Sequence, residues 1–501
     1  MEPLTLLSSL TPPAQTRAWF SAPHPHLPLL ATCSSDRSVR IYSLATFRLH
    51  STVEGGHKRS VRACAWKPGQ IRGESVLATG SFDASAGIWR RWDHDLVPKQ
   101  EEVGDEGDAG VDTEEARRGG GRRIRDVEDD EGQGDEDDDE WRFAVVLDGH
   151  ESEIKSVAWS AGGNFLATCS RDKSVWVWEE IDDDNFETIA VLQEHEADVK
   201  CVVWHPEEEV SPLLSCLPPS NRSRKCKMSN VKEKLLASSS YDDTIRLYRE
   251  DIDDWTCIAL LTGHDSTVWA ISFEPVSSPQ LSRNHEVTPS QQEYLSLLRS
   301  SGPRLISCSA DQTIRVWRRI PKNRDQNSSA STSGSAAAPG KPMPSIIRPM
   351  NAQSIEEDWT EEAVLPQRHE RAILSVAWSP WSGRVVSTGG DGKIIVYEER
   401  WADGAGPSGN SEEMDTASDG QSSRTKWTVV SEREAAHGVF EINHVCWAKR
   451  FDGKYRQRKR QRDGDDPVEV KLDEEMIVST GDDGAVRAWV VGAEDGDIKA
   501  I

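Results

Sequence analysis

For a chain with nine cysteines, this one contains no CxxC pair, which removes the commonest spacing by which thiolates hold metals or clusters. It also lacks a basic start followed by an apolar run in residues 1–13, and nowhere has an apolar stretch of membrane-spanning length. The expectation is therefore a soluble, intracellular protein. Positive charge is in short supply as well: 59 Lys and Arg against 85 Asp and Glu leave a net charge of −26. Nucleic acid or an anionic membrane would be repelled by such a chain and is not expected as its main partner. The deficit is uneven, since residues 101–140 hold 19 acidic and 5 basic residues and so carry 14 of the net negative charges. Absent too are a nucleophile–base pair, a phosphate-binding loop and a ligand cluster, so the reading is of no enzyme, no cofactor and no metal.

What the chain does have is one phrase, repeated. Residues 166–179 read LATCSRDKSVWVWE: an apolar run, a tight turn at Asp172, and a second alternating run closing on Trp178 six residues later. The same spacing recurs as Asp36/Tyr42, Asp83/Trp89, Asp242/Tyr248, Asp311/Trp317, Asp391/Tyr397 and Asp483/Trp489. Upstream of each later copy stands a histidine with an aromatic nine residues on, as in His57/Trp66, His150/Trp159, His195/Trp204, His264/Phe273 and His369/Trp378. His437/Trp447 is one residue longer, and in the first, degenerate copy residues 16–22 (TRAWFSA) take the strand's place without a histidine.

Each repeat thus supplies four short strands, d, a, b and c, with the histidine between d and a and the aspartate between b and c. Such units cannot bury their faces singly and pack radially. The turn aspartates, the Gly149-His150 pair and the strand c aromatics resemble the WD-repeat family, although no copy has an aspartate after that aromatic. The expectation is an all-β fold, one seven-bladed propeller spanning residues 1–501. Because the chain ends on a strand c, residues 4–10 (LTLLSSL) are expected to supply the missing strand of the last blade, leaving no unpaired edge. Six polar insertions are expected as flexible loops without packed structure: 93–140, 207–234, 276–303, 319–358, 401–424 and 450–475. All fall in a–b or c–d connections, which emerge on one face of the disc. Loop length costs only about 0.6 kcal/mol per doubling, so stability alone does not keep insertions off the other face. That short-loop face is read as the binding surface.

Most of the suggestive residues belong to the scaffold. The histidines sit one per blade, too far apart to share a metal, and each is expected to bond its own turn aspartate, which in turn supports the aromatic: His150 with Asp172, His195 with Asp242, His264 with Asp311. Cys33, Cys169 and Cys308 share a slot that elsewhere takes Gly80, Ser239, Thr388 or Thr480, which reads as packing. Two further positions face the short-loop side. One, just before each turn aspartate, includes Phe82, Arg171 and Tyr241; the other, at the channel mouth, includes Trp19, Arg62, Lys155, Lys200 and Trp269. Together they make a basic and aromatic arc. It is either ordinary solvated surface or a site for proteins, suited to a peptide with acidic and aromatic side chains or a free carboxylate. Residues 454–462 (KYRQRKRQR) read as a nuclear-import patch or a solvated charge run, and the acidic tract as a contact for a basic partner or a disordered bristle.

The wording of the middle repeats is more particular. IKSVAWS, LATCSRDKSVWVWE, DVKCVVWHP, ASSSYDDTIRLYRE and STVWAISFEP, between residues 154 and 275, resemble the WD-repeat subunit of the cytosolic iron–sulfur protein assembly machinery. That resemblance implies a non-catalytic scaffold in a late targeting complex, partnered by a small assembly protein, a helical-repeat adaptor and an iron-hydrogenase-like carrier. It would help deliver clusters to cytosolic and nuclear apoproteins. It maps a functional arginine onto Arg171 and a tripeptide proposed to recruit a co-chaperone onto Leu247, Tyr248 and Arg249. The repeat itself accounts for Leu247 and Tyr248, leaving Arg249 as the free member. A ubiquitin-ligase substrate receptor and a histone-tail reader are the alternatives, the first disfavoured by the lack of any Trp-Asp in strand c.

Overall fold

The computed structural model describes residues 1–69, 73–92, 140–182, 184–206, 209–210, 232–251, 254–275, 281, 288–320, 357–402, 424–452 and 475–492. Within them the chain forms seven four-stranded antiparallel sheets arranged as blades of a ring. After β1 (Leu4–Ser9), blade 1 consists of β2 (Ala18–Pro23), β3 (Leu29–Ser34), β4 (Val39–Ser43) and β5 (Leu49–Val53). Blade 2 holds β6 (Val61–Trp66), β7 (Glu74–Ser81), β8 (Ala86–Trp92) and β9 (Arg142–Leu147); blade 3, β10 (Ile154–Trp159), β11 (Phe165–Ser170), β12 (Val175–Asp182) and β13 (Asn185–Leu192). Blade 4 has β14 (Val199–Trp204), a short β15 (Glu209–Val210) and β16 (Lys232–Glu233) pair, then β17 (Leu235–Ser240), β18 (Ile245–Asp251) and β19 (Asp254–Leu261). Blade 5 is β20 (Val268–Phe273), the helix α1 (Pro289–Ser301), β21 (Leu305–Ser309), β22 (Ile314–Arg319) and β23 (Trp359–Val364). Blade 6 comprises β24 (Ile373–Trp378), β25 (Val385–Gly389), β26 (Ile394–Trp401) and β27 (Thr425–Arg433), and blade 7 β28 (Ile442–Lys449), β29 (Glu475–Gly481) and β30 (Val486–Val491).

The sequence of each strand matches its layer. Strands b, such as Phe165–Ser170, are buried along all or nearly all of their length, which suits their run of Ala, Ser, Thr and Cys between close neighbours. Strands d, such as Asn185–Leu192, form the rim and are the most exposed. Seven apolar clusters, each shared by two adjacent blades, close the ring. Phe165, Val175 and Leu192 of blade 3, for example, pack on Val202, Trp204 and Tyr248 of blade 4. The slot cysteines Cys33, Cys169 and Cys308 are fully buried.

β1 pairs with β30 from Leu4↔Val491 to Ser9↔Arg487, so the N-terminal strand completes blade 7 as the sequence implies. Every b–c turn is four residues long, and its third residue is left-handed, from Arg37 at φ 72° through Lys173 at 74° to Gly484 at 72°. Two insertions depart from the expectation of structureless loops. In 276–303 the chain forms α1, because Thr288 accepts from the Gln291 amide while the Gln291 side chain accepts from the Thr288 amide, a closed capping box with Pro289 in the first turn. Tyr294 then anchors the helix, its hydroxyl donating to Glu362 at 3.0 Å and its ring 5.9 Å from Trp401. In 207–234, Glu209–Val210 pairs with Lys232–Glu233. Residues 93–139 and most of the other insertions, including 454–462, lie outside the described residues.

Candidate protein-binding face

Blades 2 to 7 each hold a histidine–aspartate pair. His150 Nδ1 lies 2.8 Å from Asp172, His195 2.8 Å from Asp242 and His264 2.8 Å from Asp311. One link differs from the sequence reading. The aromatic is held by a strand b hydroxyl rather than by the aspartate: Trp178 Nε1 donates to Thr168 Oγ1 at 3.0 Å, and His150 Nε2 lies 2.8 Å from that same oxygen. With Nδ1–H donating to the carboxylate, Nε2 must accept from the hydroxyl, whose oxygen is then left to accept from the indole. Burial alone would raise the Asp172 carboxyl, but the bonds from His150 and Ser174 outweigh it and hold it well below the usual range. Blade 1, which has no histidine before its strand a, substitutes Arg40, 2.7 Å from Asp36.

These relays fix the turns from which the candidate side chains project. In every blade the residue before the turn aspartate donates its amide to the carbonyl just before strand a. Examples are Phe82 to Ser60 at 2.9 Å, Arg171 to Glu153 at 3.0 Å and Tyr241 to Asp198 at 2.8 Å. The second ring is placed by a feature the spacing did not disclose. The a–b register slips by one residue at the start of every strand a, and the residue passed over is Trp19, Arg62, Lys155, Lys200, Trp269, Leu374 or Asn443. A β-bulge re-aims the side chain it leaves unpaired.

The two rings interleave. Arg17 and Arg62 lie 4.6 and 5.1 Å from the Trp19 ring, which is 5.8 Å from Phe82. Lys155 is 4.5 Å from the Phe82 ring, and Lys200 stands between Tyr241 and Trp269 at 5.2 and 5.1 Å. Each cation-to-ring separation is within cation–π range. Two carboxylates, Glu153 and Asp198, temper the charge: Lys155 reaches Glu153 at 2.6 Å and Lys200 reaches Asp198 at 3.3 Å. Arg171 hangs between the same two at 3.9 Å from each, its side chain 58% exposed. Burial lowers the Lys200 ammonium, and Asp198 only partly restores it against Lys155 and Arg62. Sequence reasoning missed Arg17, Glu153 and Asp198, together with Arg59, which lies 3.3 Å from Glu153 and 5.9 Å from the Phe82 ring; the readable signal was the position just before strand a, where Arg17, Glu153 and Asp198 stand. Leu247 and Tyr248 are fully buried in different clusters, so recognising them would require strand c to open. Arg249 is not free: the chain returning to β23 brings Glu357 to it, and its Nη2 donates to Glu357 at 2.5 Å. Among the described residues no three His, Cys, Asp or Glu side chains are placed to hold a metal ion, and no helix is long and apolar enough to cross a membrane.

Comparison with known proteins bears on the scaffold and then on the whole chain. The family described as WD domain, G-beta repeat matches residues 12–43, 141–179, 186–249, 295–318 and 361–398. A protein of Aspergillus terreus named probable cytosolic iron-sulfur protein assembly protein 1 is 48% identical over 492 residues, which cover 97% of this chain and 98% of the relative. The chain belongs to that family. Proteins of the same name from Emericella nidulans and Penicillium rubens are 46% and 47% identical, again over 97% of this chain. The likeness to the cytosolic iron-sulfur protein assembly protein 1 family thus extends well beyond residues 154–275, where the repeat wording carried it.

Proposed function

We propose that the chain is a non-catalytic scaffold of cytosolic iron–sulfur protein assembly. In the cytosol, and in the nucleus, it would hold other proteins on its short-loop face and so help transfer clusters, as cargo, to apoproteins. Its partners would be the small assembly protein, the helical-repeat adaptor and the iron-hydrogenase-like carrier of the targeting complex, together with the clients. The names of the relatives support the pathway. The observation that carries the face is Arg171: an exposed guanidinium whose two nearby carboxylates are already held more closely by Lys155 and Lys200. That leaves a surplus of positive charge among Phe82, Tyr241, Trp269 and Trp19, the setting in which an acidic or carboxylate-ended aromatic segment binds.

Affinity purification with wild type and Arg171→Glu tests this. Wild type should recover iron–sulfur assembly proteins, and Arg171→Glu should recover at least tenfold less with an unchanged melt, since an exposed side chain away from the relays contributes little to stability. Undiminished recovery by the variant, or recovery of a cullin adaptor or histones in place of assembly proteins, would overturn the reading.

A further inference from the structure

One spacing on the short-loop face breaks only once. The step from histidine to the first residue of the following strand a is four at His57, His150, His195, His264 and His369, but five at His437. The extra residue falls in the connection 434–441 between β27 and β28, and it lifts two apolar side chains into solvent. Val439 is 95% exposed, more than any other large apolar side chain among the described residues, and Phe440 beside it is 47% exposed.

The loop that carries them is firmly held. Ala436 donates its amide to Gly392 at 3.0 Å and accepts from Arg487 Nη1; Gly438 closes a turn on Ala435 at 2.9 Å. Phe440 donates to His437 at 3.3 Å, the Glu441 carbonyl accepts from Asp482 at 3.0 Å, and His437 is tied to Asp483 and Ser479 at 2.8 Å each. None of this uses the Val439 or Phe440 side chain. An exposed apolar pair on a preformed loop contributes nothing visible to folding, but it binds without much loss of entropy. Exposed carboxylates bracket the pair. Glu434 shares Lys393, at 3.5 Å, with Glu370 at 3.0 Å, while the Glu441 side chain has no partner among the described residues. Arg371, across Gly390 from Glu441, is the exposed cation alongside.

We propose that the 434–441 loop is an anchor that enters an apolar pocket on a folded partner protein, with Lys or Arg at the pocket's rim facing Glu434 and Glu441. A projecting knob needs a concavity, and buried aromatic anchors inside an excluded-water rim dominate such interfaces. The anchor lies between blades 6 and 7, in the sector that the basic arc of blades 1 to 5 leaves open, and its chemistry is of the opposite sign. It therefore does not depend on the arc.

The test places the photo-cross-linker p-benzoylphenylalanine at position 440 of the full-length chain, in a cytosolic extract of a fungus carrying the family, and maps the cross-linked peptide. The expected product is a single partner, cross-linked at an apolar cleft bordered by Lys or Arg. Val439→Ser with Phe440→Ser, and separately Glu441→Lys, should each weaken that partner's binding about tenfold with no change in melting. Cross-links to a second copy of this chain, to acidic segments, or scattered over abundant proteins would overturn the anchor. So would full retention of the cross-linked partner by the double serine variant. Running Arg171→Glu in parallel separates the two sites, because the anchor's partner should survive that change.

Discussion

At the scale of single residues, the face is built from two classes of side chain with opposite consequences when changed. Thr168 is the hinge of its relay: it is fully buried and serves both His150 Nε2 and Trp178 Nε1. Thr168→Val keeps the shape and removes the hydroxyl, leaving a buried ring nitrogen and a buried indole N–H without partners. Each such orphan costs about 1–3 kcal/mol, so the variant should lose roughly 2–4 kcal/mol in denaturant unfolding. A loss below 1 kcal/mol would mean that the hydroxyl is not the link between histidine and aromatic. Neighbouring Arg171, by contrast, should be thermodynamically silent and functionally costly. The sequence could separate these classes because the scaffold residues recur and Arg171 does not. It could not show that the hydroxyl is the link, since Thr168 and its counterparts Ser238 and Ser307 read as one more small-residue slot.

At the scale of elements, the strands, their order and the closing of the ring were readable from spacing alone, because period-two alternation and a fixed turn leave few alternatives. The bulge that begins every strand a was not readable: one skipped residue changes no composition, yet it leaves Arg62, Lys155 and Lys200 unpaired in the ladder, where they meet the rings of Trp19, Phe82, Tyr241 and Trp269. Helix α1 was missed for a different reason. Its capping signal at Thr288 and Gln291 stood inside a stretch judged by overall polarity, and the Glu362 carboxylate that fixes Tyr294 lies 68 residues away. β1 is the element with the largest expected effect. Leu4 and Leu10 are buried in the clusters joining blade 7 to its two neighbours, and β1 covers the edge of β30. Deleting residues 1–10 removes both leucines, at about 2–5 kcal/mol each, together with the ladder. The melting temperature should fall by roughly 10 °C or more, with aggregation through the bared edge. A shift of only a few degrees would show that the ring holds without its N-terminal strand.

At the scale of the whole molecule, the two faces are held by different chemistry. On the short-loop face the relays act within blades. On the insertion face arginines staple blades together: Arg90 bonds Glu74, Glu180 and Asp184, and Arg304, fully buried, bonds Glu274, Glu362 and Glu399. The relays hold their aspartates below the usual range, but a decline on acidification begins earlier, at two histidines outside the relays. His24 accepts the amides of His26 and Leu27, and burial, with His26 nearby, lowers it to about 4. His444 lies against Phe20 and Ser21, and burial together with Arg62 lowers it to about 3. An unfolded histidine binds its proton near pH 6.5, so between pH 6.5 and those values the unfolded chain holds protons that the folded chain refuses. The stability these groups contribute is therefore complete above pH 6.5 and declines as the pH falls toward 4. The relay aspartates, held below their usual range, add a second decline only below about pH 4. His444→Gln should remove its share of the first decline, about 2 kcal/mol at pH 5, while leaving the second in place. Melting curves of the two proteins between pH 7 and 4.5 check this: wild type should lose more stability than the variant as the pH falls, and parallel curves would show that His444 takes up its proton without opening the ring.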